Sequence, residues 1–225
     1  MTGLYNRRFF EQELHRLDIA GNLPISIIKG DVNGLKLAND VFGHGNGDLL
    51  LQKVAAVFRR VGRPADVIAR WGGDEFVMLL PGTNAGEAGH IMERIKSEVA
   101  KEQIKAIKVS ISLGLDTKVE AGEDIAQVLT NAEQKMYLVK TLERDKVSNQ
   151  TIAAIINLLH SQSEREKEHS IQVSELCRKM GQALQLSEDE IRKLKDAGYL
   201  HDIGKIILDA DLLNKNYPLH DEELA

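Results

Sequence analysis

The segment Arg70-Trp71-Gly72-Gly73-Asp74-Glu75-Phe76 sets two carboxylates directly after two glycines. Paired glycines permit positive φ and let a ligand approach bare backbone, and adjacent acids are an expensive choice unless something cationic sits beside them. A third acid, Asp31, ends an apolar run, at the end of a strand where open sheets place functional groups. If the two strands are neighbours, Asp31 and Asp74 converge. Two carboxylates are the usual protein share of a magnesium site, because Mg²⁺ keeps waters and takes phosphate oxygens for its other positions. On these residues alone, a solvated hairpin tip and an exposed strand end remain the competing description.

Positioning such acids requires a sheet. The pattern predicts a helix from about Tyr5 to Ile19, a strand Ile25 to Asp31, a glycine-rich segment Gly43 to Gly47, and a helix to about Arg60 with Leu50, Val54, Val57 and Phe58 on one face. Strands Val67 to Arg70 and Glu75 to Leu80 follow as a hairpin across Gly72-Gly73. Helix Ala85 to about Glu102, strand Val109 to Leu115 and helix Ile125 to about Leu142 complete an α/β alternation, which argues for a central sheet flanked by helices. Neither Gly nor Pro occurs between Glu123 and Met180, and Ser148-Asn149 offers good N-caps for a new helix. A domain boundary is placed there, giving 1–147 and 148–225. The second region lacks strand-like alternation and reads as all-helical, with Ile152, Ile155, Ile156 and Leu159 as a packing stripe.

Composition removes several classes of function. The 225 residues carry 29 Lys+Arg against 34 Asp+Glu, a net charge of −5, and only 4% aromatics. Residues 1–150 balance at 20 acids and 20 bases, and 151–225 hold 14 and 9. A polynucleotide partner, which needs a basic surplus and stacking rings, is not expected. The longest apolar stretch, near Ile152 to Leu159, is far short of the ~18 residues of a membrane span, so this stretch of chain is expected to be soluble by itself, and the lone cysteine fits a cytoplasmic location. A single cysteine, Cys177, excludes a disulfide framework and is expected to be a small buried hydrophobe.

Further motifs carry a resemblance. Thr2-Gly3-Leu4-Tyr5-Asn6-Arg7-Arg8, Asn39-Asp40 with Gly43-His44 and Gly47-Asp48, Gly72 to Phe76, and Ala132, Met136, Tyr137, Lys140 and Arg144 stand in the order found in the GGDEF family of diguanylate cyclases, and residues 1–146 resemble that family. The resemblance implies the palm-like fold of nucleotidyl cyclases. It also implies condensation of two GTP molecules into cyclic di-GMP, a bacterial second messenger, with release of pyrophosphate and with two subunits face to face as a homodimer. It implies that Asp31, the Val32 carbonyl and Asp74 hold Mg²⁺ or Mn²⁺, with Asp74 and Glu75 as the catalytic acids. Asn39 and Asp48 would read guanine, whose N1–H and N2–H₂ suit a carboxylate acceptor. Lys36, Lys140 and Arg144 would neutralise the triphosphate. Arg63-Pro64-Ala65-Asp66 resembles the RxxD inhibitory site at which family members bind their product; a local Arg–Asp pair is the simpler alternative. Asn33, Leu35 and Trp71 depart from the residues common at their positions. The start at Met1-Thr2 is read as truncated.

In the second region Glu168-His169 precedes His201-Asp202 by 32 positions, and Leu200-His201-Asp202-Ile203-Gly204-Lys205 puts the pair on an expected helix. This resembles the ligand set of HD-type metal phosphohydrolases, most of all the HD-GYP branch that degrades cyclic di-GMP, and extends through Leu213, Lys215 and Leu219. A complete HD site would take iron or manganese. With His169, His201 and Asp202 alone, and Arg165 where some members have a carboxylate, the partial site is expected to lack phosphodiesterase activity. The resemblance also allows a second role for the first region, as a catalytically silent GTP- or cyclic di-GMP-binding module that regulates an HD-GYP phosphodiesterase.

Overall fold

Strand β2 (Ile25–Asn33) is buried from Ile25 to Val32 because it is hydrogen-bonded on both edges and covered on both faces. Alternation divides its side chains. Ile25 and Ile27 join Phe10, Leu14, Ile125, Val128 and Ala132 in one core. Ile28 and Val32 join Val54, Phe58, Phe76, Met78 and Ile111 in the other. The computed structural model describes residues 2–105 and 107–215, so Leu219 and His220 fall outside the described residues.

The sheet contains β1 (Tyr5–Asn6), β3 (Val67–Gly72), β4 (Glu75–Leu80), β2 and β7 (Ser110–Lys118) in the order β1-β3-β4-β2-β7. Only the β1–β3 pair is parallel. Helices α1 (Arg7–Leu17) and the first part of α5 (Ile125–Gln162) supply one core, and α3 (His44–Val61) and α4 (Ala85–Val99) the other.

Several elements differ from expectation for local reasons. Tyr5–Asn6 is a strand because it pairs with Ala69 and Arg70, and α1 starts only after it, on the N-cap Asn6, whose Oδ1 accepts from Phe9 N at 3.0 Å. The Gly43–Gly47 segment is no loop: Gly43, at φ +80°, breaks the chain between α2 (Leu35–Phe42) and α3, and Gly45 and Gly47 lie in the first turns of α3. A short hairpin of β5 (Gln103–Ile104) and β6 (Ile107–Lys108), absent from the sequence reading, precedes β7. β7 outlasts its expected end because Thr117 and Lys118 pair with Ser26 and Ile25, and Lys118 Nζ meets Asp18 Oδ1 at 2.5 Å. The expected restart at Ser148-Asn149 does not occur, since nothing in that stretch interrupts the helical hydrogen bonds and α5 continues to Gln162.

The chain divides into two units, Met1–Thr151 and Ile152–Ala225, the division falling within α5. In the second unit α6 (Glu164–Ala183) starts on Ser163, and α7 (Glu188–Leu200) starts on a reciprocal Ser187–Glu190 capping box. Both caps satisfy amides that would otherwise be left without partners. A Cβ on Gly198 would meet Cys177 Sγ at 2.7 Å, so α7 packs closely on α6 there. Cys177 itself is partly exposed, not the buried residue expected, because it lies at the margin of this contact. A 3-10 helix (Ile203–Ile207) and α8 (Ala210–Leu213) complete the described part. No helix among the described residues is long and apolar enough to cross a membrane.

The tightest joint in the sheet unit is between β7 and α5. A Cβ on Gly114 would fall 2.1 Å from Ala132 O and 2.2 Å from Met136 N, both backbone atoms that cannot move aside. Gly114→Ala is therefore expected to destabilise the unit by about 3 kcal/mol or more. Urea unfolding followed by the fluorescence of the single tryptophan, Trp71, measures the loss.

Candidate active site

Asp31 is two residues short of the end of β2, and its register partner on β4 is Glu75. Facing residues of an antiparallel pair share a face, so both carboxylates point to the α5 side. Asp74 occupies the turn, where its carbonyl accepts from Val32 N at 3.0 Å. That bond fixes the hairpin tip against the strand carrying Asp31. Gly73 takes φ +49°, and its carbonyl accepts two bonds from the Arg70 guanidinium, at 2.9 and 2.6 Å. Arg70 thus ties the turn together from the preceding strand.

Two ammonium groups answer these acids. Lys140, on α5, lies 2.8 Å from both Asp31 oxygens and hydrogen-bonds Oδ2; Oδ1 is buried with no hydrogen bond of its own. Lys29, on β2, lies 3.2 Å from Glu75 Oε2 and 3.0 Å from Glu133 Oε1, beneath the Trp71 ring at 4.3 Å. Burial holds the Asp31 carboxyl above the ordinary carboxylate range; Lys140 pulls it down, while Asp74 and Glu75 add like-charge repulsion. Burial alone would lower the Lys140 ammonium, but its hydrogen bond to Asp31 and attraction to the neighbouring acids raise it. Asp31, Glu75, Glu133, Tyr137, Lys140 and Thr141 line a cleft of 720 Å³. Four acids (Asp31, Asp74, Glu75, Glu133) face two lysines, leaving two negative charges, and Asp31 Oδ1 is buried with the Lys140 ion pair but no hydrogen bond. That donor set fits a hard divalent cation.

The other site residues named from the sequence lie apart from this cluster or at its margin. Arg144 follows Lys140 by one turn of α5 but is 77% exposed and paired with Asp145 at 3.4 Å. Lys36 is exposed in the first turn of α2. Asn39 of α2 and the first turn of α3 touch: a Cβ on Gly47 would lie 1.9 Å from Asn39 Oδ1, an oxygen that is buried without a hydrogen-bond donor. Asp48, next along α3, is half-buried. Arg63 and Asp66 form the local pair: Asp66 accepts from Arg63 N at 2.7 Å and from its guanidinium at 2.9 Å, and the guanidinium also donates to Thr83 Oγ1 at 2.6 Å.

Lys29, Glu133 and Trp71 as a cluster escaped the sequence reading. The signal was present, since Lys29 interrupts an apolar strand two residues before Asp31 and therefore shares its face.

In the second unit His169 Nε2 lies 3.2 Å from His201 Nε2 and 3.5 Å from Asp202 Oδ2, and His201 Nε2 is 3.0 Å from the same oxygen. The sequence reading put His201 and Asp202 on a helix. They stand instead at the joint between the end of α7 and the 3-10 helix, and His201 Nδ1 meets the Gly198 carbonyl at 2.9 Å. These three donors are close enough to share a metal ion. Lys205 also reaches Asp202, at 2.8 Å, and holds its carboxyl below the usual range. The same ammonium binds the buried Glu166 at 2.8 Å, one position from Arg165.

Comparison with known proteins gives a consistent picture. The family model described as diguanylate cyclase, GGDEF domain, matches residues 1–146, and an HD domain model matches 153–225. Diguanylate cyclase DosC of Escherichia coli K12 is 33% identical over 155 residues, covering 65% of this chain and 34% of DosC, so the chain spans about a third of that relative's length. The GGDEF domain of YfiN (TpbB) from Pseudomonas aeruginosa superposes with a TM-score of 0.59 at 30% identity, covering 63% of this chain and 93% of that one. The GGDEF domain of DgcB from Caulobacter crescentus in complex with c-di-GMP gives 0.58 at 30% identity, over 62% and 87%.

The electrostatics of Asp31 have a measurable consequence. A carboxyl whose folded pKa is raised binds its proton more tightly when folded. Its contribution to stability is present in acid and is lost as pH rises through the unfolded value of about 3.9 toward the higher folded one. At neutral pH, without metal, Asp31→Asn is expected to melt at a higher temperature than the wild type; Lys140, partly exposed, remains solvated. The gap closes below the ordinary carboxylate range. Thermal melts in chelator at the two pH values check both sign and window.

Proposed function

Because the chain belongs to the GGDEF family and carries an HD-type domain after it, we propose that residues 1–147 condense two GTP molecules into cyclic di-GMP and that 148–225 form part of an HD domain. The observation that carries this reading is the convergence of Asp31, Glu75 and Lys140 on one cleft, with Asp74 in the adjoining turn tied by its carbonyl to Val32 N. Asp31, the Val32 carbonyl and Asp74 would hold Mg²⁺ or Mn²⁺, which when bound polarises the α-phosphate and acidifies the attacking 3′-hydroxyl.

The chain's own groups do the rest. Lys140 gives up its hold on Asp31 and turns its charge to the triphosphate, joined by Arg144 and Lys36. Asn39 Oδ1, buried without a donor, accepts from a guanine N–H, and the Asp48 carboxylate takes the neighbouring donors. Adenine offers no comparable pair, so the base is selected. Each chain holds one nucleotide, and the bond is made between the nucleotides of two chains as a homodimer.

The tandem HD domain favours a second reading, in which the first region binds nucleotide silently and regulates phosphodiesterase activity in the second. Incubation with GTP and Mg²⁺ followed by nucleotide separation distinguishes them. The wild type is expected to yield cyclic di-GMP, and Asp74→Ala to lower the yield by at least about 100-fold, a few kcal/mol of lost charge stabilisation. GTP binding without product, at concentrations that force dimers, would establish the silent module instead.

Product inhibition through Arg63 and Asp66 requires the guanidinium to leave Thr83 and face the product. Arg63→Ala is expected to leave the initial rate unchanged while progress curves no longer flatten as cyclic di-GMP accumulates. An unaltered curve reduces Arg63–Asp66 to the local ion pair.

A further inference from the structure

Lys29 is 1% exposed in the centre of the sheet, and a buried ammonium is tolerated only where opposite charge surrounds it. Its surroundings are specific: Glu75 Oε2 and Glu133 Oε1 converge on Nζ at 3.2 and 3.0 Å, and the Trp71 face adds a cation–π contact. Glu75 belongs to the acidic hairpin pair and faces Asp31 across the ladder, so its charge is drawn on from two sides. Two carboxylate oxygens already meet at one cation-sized position, and an ammonium fills it.

We propose that Lys29 is a positioning residue that stands in for a second divalent cation. By neutralising Glu75 together with Glu133, it confines metal binding to Asp31, the Val32 carbonyl and Asp74, and each chain takes one divalent ion with its nucleotide. With Lys29 present, one positive charge is already shared by Glu75 and Glu133; without it, these two acids are left converging on a vacated position with one more uncompensated negative charge between them. The inference rests on the metal reading of the cleft given above.

Counting bound Mn²⁺ tests it. The free ion is followed by electron paramagnetic resonance, in protein loaded with a non-hydrolysable GTP analogue. Methionine reproduces the lysine stem but stops short of Nζ, so Lys29→Met empties the ammonium position alone. The wild type is expected to bind one Mn²⁺ per chain, Lys29→Met two, and Lys29→Met/Glu75→Gln one again. A wild-type count of two, or a folded Lys29→Met that still binds one, overturns the assignment. Should Lys29→Met fail to fold, Glu75→Gln alone decides. Mn²⁺ affinity within about threefold of wild type supports the assignment, because Lys29 already removes Glu75 from the ligand set. A weakening of tenfold or more refutes it. A wild-type count of zero overturns the metal reading itself, and with it this inference, whereas cyclic di-GMP synthesis in the same samples reports separately on the reaction.

Discussion

The organisation of the first unit depends on one buried carboxylate. Asp31 is held by a strand paired on both edges, so it cannot retreat from the like charges of the hairpin. The charge is answered by an ammonium that arrives from another layer, on α5. Sheet, hairpin and helix must all be in register for that meeting to take place. Burial and the like charges of Asp74 and Glu75 hold the carboxyl's proton affinity above the ordinary range even with Lys140 beside it.

The two cores explain how such an arrangement is supported. Because β2 sends alternate side chains into separate apolar layers, the polar residues that share a face with Asp31 replace what would otherwise be core. Lys29 takes a place that Ile25 and Ile27 fill lower on the same face. The substitution is tolerated because Glu75, Glu133 and Trp71 close around it. The second unit places its ionic cluster differently. His169, in the second turn of α6, meets His201 and Asp202 at the joint after α7, where the Gly198 carbonyl orients the His201 ring.

Much of this was readable in the residues. The glycine-marked hairpin, the acid near the end of β2 and the alternation of strands and helices all carry local signals. What escaped reading was non-local. Lys29 and Glu133 are 104 positions apart, and no periodicity links them. Tyr5–Asn6 becomes a strand because it finds Ala69 and Arg70, a pairing invisible from its own composition. The good caps at Ser148-Asn149 go unused, since cap propensity cannot by itself stop a helix that nothing else interrupts. Arg144, grouped with Lys140 by helical spacing, lies instead in solvent beside Asp145, because a shared face does not dictate where a long side chain ends.

The backbone contact at Gly114 has a geometric corollary. With Ala132 and Met136 seated directly on β7, the rotational phase of α5 is set at that point, and Lys140 stands one turn further on. Loss or gain of a single residue between Met136 and Lys140 would swing the ammonium by about 100° around the axis. Over those few positions the chain's length is therefore constrained more strictly than its composition.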